Sequence, residues 1–484
     1  MNKLGLLRDS LRKESNLIAF RGGSYSLIMT AIVLAILIVV NIFVSALPST
    51  MTKYDISATK LYSITSNTKV VVNRLDEDVT IYWIVQSGKE DEVIENLLSK
   101  YDSLSDHIKI VKKNPDVFPT FAKQYTNETV KNNSLVVESG NRNRYISYDD
   151  IYLQEADMYS YSTKKSFDGE GAITSAIDYV TSEKLPQLYL LEGHGESQLP
   201  STFREQLEKD NIELNTLSLL KVDYIPDDAD VIMIYAPTSD ISEMERDMLA
   251  DYVKDGGKLL VMSGPTEDGI LENLYGLLSD YGVEPVEGIV VEADREHYAF
   301  QAPYVLLPDM ESNEITDSLI QEKYYPIMPI SQGIIVEGTS SYGKVTALLN
   351  TSDSAYSKIA GYNISTYEKE EGDIEGPFAV AVSIESSNDG RIVWFASSSF
   401  LEDMYNAYSS GANVDLGMNA VSLLIGESEA MAIRSKSLDY NYLTISDSVS
   451  SMLKVVMIVV FPLLYLAVGI FVILRRRRMQ NETI

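Results

Sequence analysis

The sequence predicts an α/β protein whose large polar body is held between two membrane helices. Three observations lead there. Two long apolar runs without charge lie near the ends, and between them β-branched runs alternate with stretches of helical period. With 45% hydrophobic and 23% charged residues, the composition is that of a folded chain rather than a disordered one. At 484 residues there is room for about three domains.

From Gly22 to Thr52 no residue is charged, and Leu27 to Leu47 is the densest apolar part. About 20 helical residues cover a hydrocarbon core of roughly 30 Å. This predicts a cytoplasmic tail over 1–23 and a membrane span over 24–47. A cleaved signal peptide ending near Val44-Ser45-Ala46 is the alternative, but its apolar part would be only about 7–15 residues. The second run, Val455 to Leu474, predicts a span over 453–474 and a tail over 475–484. Pro462 lies inside that run, where a membrane helix tolerates it. Lys3, Arg8, Arg12, Lys13 and Arg21 precede the first span, and Arg475, Arg476, Arg477 and Arg478 follow the second. Basic flanks face the cytoplasm, so both termini belong there and the body lies outside the plasma membrane. Leu4, Leu7, Leu11 and Ile18 add a helical apolar spacing to the first tail, suited to the inner lipid interface or to no structure at all.

The net charge is −30, although the tails carry more basic than acidic residues. The acidity therefore belongs to the body, which anionic lipid heads repel. Such a charge argues against a nucleic-acid partner. Absence of cysteine excludes thiolate nucleophiles, disulfides and iron–sulfur clusters. His107, His194 and His297 are the only histidines. No cofactor is expected.

Residues 48–155 form a juxtamembrane segment and a small α/β unit. Ser66 precedes a helix over 67–75. VTIYWIV (79–85) reads as a buried strand, and Glu92 to Leu104 carries apolar residues at helical spacing. HIKIVKK (107–113) alternates, 119–125 is a short helix, and 134–139 and 143–148 flank a Gly140-Asn141 turn. The order β-α-β-α-β-β is that of a thioredoxin-like unit. Its first loop, Gln86-Ser87-Gly88-Lys89, has no cysteine, so the unit is read as structural.

Residues 156–445 form the larger domain. Helices are predicted over 171–182, 202–210, 242–254, 271–281 and 415–425, and strands over 187–193, 231–237 and 258–265. Ser242 and Glu245 make a capping box, and Gly256-Gly257 ends that helix. VIMIYAP (231–237) is almost wholly apolar, as a central parallel strand should be. The alternation predicts a parallel sheet covered on both faces. Residues 284–376 break the rhythm with Pro285, Pro303, Pro308, Pro326 and Pro329, and read as a β-rich insertion. Its acidic loop, Glu368 to Glu375, is expected to be a solvated surface; calcium is a lesser reading, since the EF-hand spacing is missing. Strands over 378–385 and 391–397 pair across Asn388-Asp389-Gly390.

Several blocks resemble one family, the Gldg-type auxiliary membrane proteins of ABC transporters, whose extracytoplasmic part is the ABC-type uncharacterised transport system domain. The blocks are KYDISATKLYSITSNTKVVV (53–72), EGAITSAIDYVTSEKLPQLYLLEGHGE (170–196), MLADYVKDGGKLLVMSGP (248–265) and GRIVWFASSSFLEDMYN (390–406), then NVDLGMNAVSLLIGESEAMAIRSK (413–436). Their order and spacing carry the likeness. It implies a flavodoxin/amidotransferase-like α/β domain in a non-enzymatic subunit, working beside an ABC permease and a separate ATP-binding subunit. A Gly-x-x-x-x-Gly-Lys-[Ser/Thr] loop is missing, so the chain is not an ATPase of that type.

Candidate site residues come from loops after strands, where open parallel sheets bind ligands. Gly193-His194-Gly195-Glu196 follows one predicted strand, with Glu192 before it. Ser263 with Gly264, and Ser397 to Ser399, hold similar places. Glu192, His194, Glu196, Ser263 and Ser399 together would suit a sugar or peptide-like extracellular ligand, which makes a solute-binding ectodomain the second reading. The plainer reading of His194 is a hydrogen bond that fixes its own loop. A hydrolase is the remote third: cysteine chemistry is excluded, and no Gly-x-Ser-x-Gly elbow supports a serine triad. Glu192, His194 and Glu196 match no standard zinc motif.

Overall fold

A computed structural model describes residues 28–43, 61, 63–157, 162–267, 269–336, 343–386, 388–426, 433, 436–438, 451–452 and 454–481. The small unit begins with helix α1 (Ser66–Asn73), whose N-cap is Thr65 rather than Ser66: the Thr65 side chain accepts the Thr68 N–H. Strand β1 (Val79–Ile84), helix α2 (Glu92–Leu104), and strands β2 (Ile108–Lys113), β3 (Ser134–Ser139) and β4 (Arg142–Ile146) follow. They form one sheet in the order β2-β1-β3-β4, with β1 parallel to β2 and antiparallel to β3. Gly140 turns the β3–β4 hairpin at φ 53°, a conformation glycine adopts freely. The expected helix over 119–125 is a single 3-10 turn, Ala122–Gln124.

A hairpin of β5 (Tyr152–Asp157) and β6 (Ser162–Phe167) leads into helix α3 (Gly169–Thr181). The sequence assigns α3 to the larger domain. Instead, Ile173, Ala176, Ile177 and Val180 pack into the core of the small unit with Trp83, Leu97, Tyr101 and Val137. The reason is the apolar stripe itself, which the small sheet would otherwise leave in water.

The larger domain contains β7 (Gln187–Leu191), α4 (Ser201–Lys209), β8 (Glu213–Leu217), β9 (Val231–Tyr235), α5 (Glu243–Lys254), β10 (Lys258–Met262) and α6 (Glu272–Ser279). Next come β11 (Val283–Pro285), β12 (Ile334–Val336), β13 (Gly343–Asn350), β14 (Ala379–Ser386) and β15 (Arg391–Phe395), then α7 (Asp403–Tyr408) and α8 (Ala412–Ile425). The sheet runs β8-β7-β9-β10-β15-β14, with β12 and β13 along the far side of β14 and β11 beyond β12. Five strands, β8, β7, β9, β10 and β15, are parallel. One face packs Phe203 and Leu207 of α4 and Leu416 and Val421 of α8. The other packs Leu249 and Val253 of α5 and Leu274 and Leu278 of α6. All five residues of β9 are buried, which accounts for its uninterrupted apolar run.

Three expectations need correcting. The sheet is mixed, because β14 runs antiparallel to β15. Nor is 284–376 a separate excursion, since β12 and β13 return from it to pair with β14. An apolar strand buried like β14 needs backbone partners on both edges; β15 supplies one and the segment the other. The acidic loop is also more than a solvated surface. It closes around Lys358, whose side chain has no exposure and whose Nζ donates to Glu370 Oε2 at 2.6 Å, to Asp373 Oδ2 at 2.8 Å and to the Glu368 carbonyl at 2.8 Å. An ammonium thus sits where a metal reading would have put a cation.

Helix Val456–Arg475 is long and apolar enough to cross a membrane. Its turn Val456–Val460 is wound as a π-helix just ahead of Pro462, which lacks an N–H to donate. Ile28–Phe43 is apolar but shorter; the rest of the expected span 24–47, and the tail over 1–23, lie outside the described residues.

Candidate functional site

The chain passes from β7 to β8 on one side, then crosses to β9 on the other side of β7. The carboxyl ends of β7 and β9 are therefore the point where strand order reverses, the usual ligand crevice of an open α/β sheet. Helices α4 and α5 start there on opposite faces, and the first-turn N–H groups of each have no partner within the helix itself.

His194 lies in the loop after β7 and is buried. Its Nδ1 faces Glu196 Oε1 at 3.0 Å and its Nε2 faces Glu245 Oε2 at 3.2 Å. The other oxygen of Glu196 accepts the backbone N–H groups of Gly193 (3.0 Å) and His194 (2.7 Å). Gly193 and Gly195 have φ of 128° and 73°, so the glycines allow a loop that wraps its own carboxylate. The His194 carbonyl accepts from Thr238 N at 3.0 Å and Ser239 N at 2.9 Å, which ties this loop to the one after β9.

Glu245 is the third residue of α5, and its Oε2 also accepts from Ser242 N (2.9 Å) and Ser242 Oγ (2.8 Å). The capping box expected at this helix is thus present, and His194 is clamped onto it. Its Oε1 is buried without a partner among the described residues. Burial alone would raise the Glu245 carboxyl, but hydrogen bonds from Ser242 and the facing His194 outweigh it and hold the group below its ordinary value. At α4 the N-terminal donors meet Asp403, which accepts from Thr202 N (3.0 Å), Ser201 N (3.3 Å) and both hydroxyls (2.7 Å each). Burial again opposes and these bonds prevail, so Asp403 is also held low.

The seats that would take an oxyanion are thus filled by the chain's own carboxylates. Both nitrogens of His194 face carboxylates of the chain itself.

Of the residues singled out from sequence, His194 and Glu196 come together. Glu192 points away, exposed, to Lys221 at 3.3 Å. Ser263 and Ser399 follow β10 and β15 on the same sheet edge. Two strand spacings separate β7 from β10, about 10 Å. Ser263 is fully buried, and its carbonyl accepts the Trp394 indole N–H at 3.1 Å. Ser399 is half-buried and its carbonyl accepts Glu402 N at 3.2 Å. Gly264 N donates to Ser398 Oγ at 3.1 Å, joining those two loops. Sequence reasoning missed Glu245 as the partner of His194 and missed Asp403 altogether. The capping box marked Glu245 as an N-terminal residue, but no local pattern pairs it with a loop 51 residues earlier.

A second polar cluster binds the ends of the body together. Glu170 of α3 is buried; its Oε1 accepts from Thr65 N (2.6 Å), Thr65 Oγ1 (2.8 Å) and Thr68 Oγ1 (2.8 Å). Its Oε2 pairs with Lys436 Nζ at 2.7 Å, and that ammonium also donates to the Ser63 carbonyl at 2.6 Å. Lys436 opens the short strand β16 (Lys436–Ser437), which pairs with β6.

Residues 185–424 match the model of a family described as an ABC-type uncharacterized transport system, and residues 58–154 match a domain of unknown function. No curated protein matches the chain. Among solved structures, the mmIFT52 N-terminal domain is 17% identical with a TM-score of 0.37, covering 49% of this chain and 97% of its own. A glutamine amidotransferase from Thermotoga maritima is 7% identical with a TM-score of 0.29, covering 50% and 100%. A ThuA-like protein from Parabacteroides merdae is 11% identical with a TM-score of 0.23, covering 54% and 94%. Likenesses this slight carry no argument.

Proposed function

The chain carries the domain of the ABC-type uncharacterized transport system family at residues 185–424, and from that premise we propose that it is a membrane-anchored, non-catalytic auxiliary subunit of an ABC transporter. In this reading spans over 24–47 and 453–474 hold it in the plasma membrane with both termini cytoplasmic. The body between them, a thioredoxin-like unit followed by a flavodoxin/amidotransferase-like domain, works outside the cytoplasm. It contacts the permease, and through it the ATP-binding subunit.

The observation that carries this reading is the Glu170 cluster. Ser63, Thr65 and Thr68 follow one apolar helix in the chain, and Lys436 precedes the other. Both anchors then leave the body from one place, as a body seated over a membrane partner requires. The non-catalytic part of the reading draws on His194, whose two nitrogens both face carboxylates. We propose that the Gly193–Glu196 loop is structural, closing the crevice rather than filling it with a substrate.

Purification of the full chain in mild detergent tests the proposal. An ABC permease and its ATPase are expected to co-purify in fixed ratio. A chain that consistently emerges alone, with both subunits present in the membrane, defeats it. A solute-binding role is the second reading, favoured by a polar cleft that Thr202, Glu205 and Asp403 line.

A further inference from the structure

The large sheet ends at β8, which has β7 on one side and no strand on the other among the described residues. We propose that this free edge, with the cavity beside it, takes an extended segment of another protein as an added strand, and that Arg204 holds an acidic side chain of that segment. The inference stands apart from the transporter role and needs only this chain.

The backbone is the first argument. Strands β7 and β8 are parallel, with Leu188 beside Leu214 and Leu190 beside Thr216. Glu213 N donates to the Pro186 carbonyl, and the Leu217 carbonyl accepts from Glu192 N, both on the β7 side. Along a strand the N–H and C=O groups turn to alternate edges, so those of Leu214 and Thr216 point away from β7. They have no hydrogen-bond partner among the described residues. Natural edges are commonly guarded by proline, lysine or a bulge. The opposite end of the sheet follows that rule, since β11 contains Pro285. Glu213–Leu217 has neither proline nor lysine and pairs with β7 in unbroken register.

The cavity is the second argument. It measures about 460 Å³, and Ile212, Glu213, Leu214 and Asn215 all line it. Their side chains point to alternate faces of the sheet, so one cavity reaches all four only along the edge of the strand. An added strand would lie in that space, as in other cases of strand addition to an open sheet.

The third argument selects the segment. Arg144 and Arg204 line the same cavity. Arg144 is committed: it donates to Asn211 Oδ1 and stacks over Tyr179, 5.1 Å from the ring centroid. Arg204 is half-buried, and its guanidinium has no hydrogen-bond or ion-pair partner among the described residues. Glu208 and Glu213 are exposed, and Glu213 Oε2 accepts from Gln187 Nε2 at 2.7 Å. A guanidinium is a planar fork that fits a carboxylate with two parallel bonds. The occupant is therefore an extended segment with an aspartate or glutamate among its strand residues. A second copy of this chain suits the edge less. Each copy carries a net charge of −30, and an edge of 5 residues is short for the roughly 1,200 Å² of a stable interface.

The test uses the full chain in mild detergent and a blocked, fluorescein-labelled peptide, Thr-Val-Glu-Val-Thr, followed by fluorescence anisotropy against detergent alone. Saturable one-to-one binding is expected. Arg204→Gln, or glutamine in place of the peptide's glutamate, should weaken it about tenfold. Thr216→Pro should abolish it yet keep the β7 pairing, because the N–H it removes faces outward. Two N-methylated peptides give a readout that needs no variant. Methylating the N–H groups along one edge of the peptide should abolish binding, and methylating those along the other edge should leave it. Should Thr216→Pro fail to fold, this pair of peptides decides. The proposal is overturned if binding does not saturate, if the two methylated peptides behave alike, if Arg204→Gln keeps full affinity, or if the chain dimerises and Thr216→Pro returns it to a monomer. None of these outcomes bears on co-purification with a permease, so the two readings fail separately.

Discussion

Helix α4 borders two acidic places that use their carboxylates in opposite ways. Where the sheet's strand order reverses, Glu196 and Asp403 spend both oxygens on backbone and side-chain donors, and Glu245 gathers three donors on one oxygen. In the adjoining cleft of about 990 Å³ between α3, α4 and the α7–α8 corner, which Asp403 also lines, Glu205 and Glu208 stand exposed and Asp168 keeps one buried oxygen without a donor among the described residues. The first place looks like a ligand crevice by topology and is closed by chemistry. The second has no topological signature, yet it holds space and two exposed carboxylates. The difference teaches that a position in the fold names a candidate site, whereas the hydrogen-bond account of its side chains shows whether anything is left to bind with.

Breaking the closed side should cost the most. Glu245→Ala removes the reciprocal cap of α5 and leaves His194 Nε2 facing nothing, which should lower unfolding stability by about 3 kcal/mol. Denaturant titration measures it, and a loss close to zero would mean the clamp is incidental.

Acid sharpens the contrast next. Glu245 and Asp403 are both held below their ordinary values of 4.5 and 3.8. The folded state then binds fewer protons than the unfolded one, so their contribution is complete above those values and is lost as the pH falls through the lower folded ones. Burial raises Asp168 despite Lys209, and that group works in the opposite direction. The melting temperature should therefore decline below about pH 4.5, with a shallower slope in Glu245→Gln. An identical slope in the variant would refute the assignment.

The smallest effect should come from Glu192, the one member of the predicted cluster left in water. Its pair with Lys221 joins side chains 49% and 75% exposed, so Glu192→Gln should change stability by less than about 0.5 kcal/mol. A larger loss would show that the loop after β7 is anchored through Glu192 as well.

Much of the fold was legible where one residue's neighbours in the chain are also its environment. The run Val231–Tyr235 announced a fully buried strand, and Ser242 with Glu245 announced the start of α5. Strand β8 was missed because it lies at the sheet edge and its ELNTL pattern is half polar, without the period that marks a strand. β13 was read into an insertion because its pairing partner, β14, arrives later in the chain. The site was legible only halfway. Glycines around His194 declared a special loop, but its closure depends on Glu245, and the α4 seat depends on Asp403, 201 residues from Thr202. Contacts of that separation leave no periodic trace. The same holds for the cleft, whose walls come from stretches as far apart as Arg144 and Asp415.

Glu170 is a point at which both ends of the body are held. Force from either end of the body reaches the first turn of α3 before it reaches any strand of the large sheet, and α3 also supplies Ala172 and Ser175 to the cleft wall. Shear between the two ends would therefore be shared by α3 and the adjoining β6–β16 pairing, with the cleft on the working side of the helix.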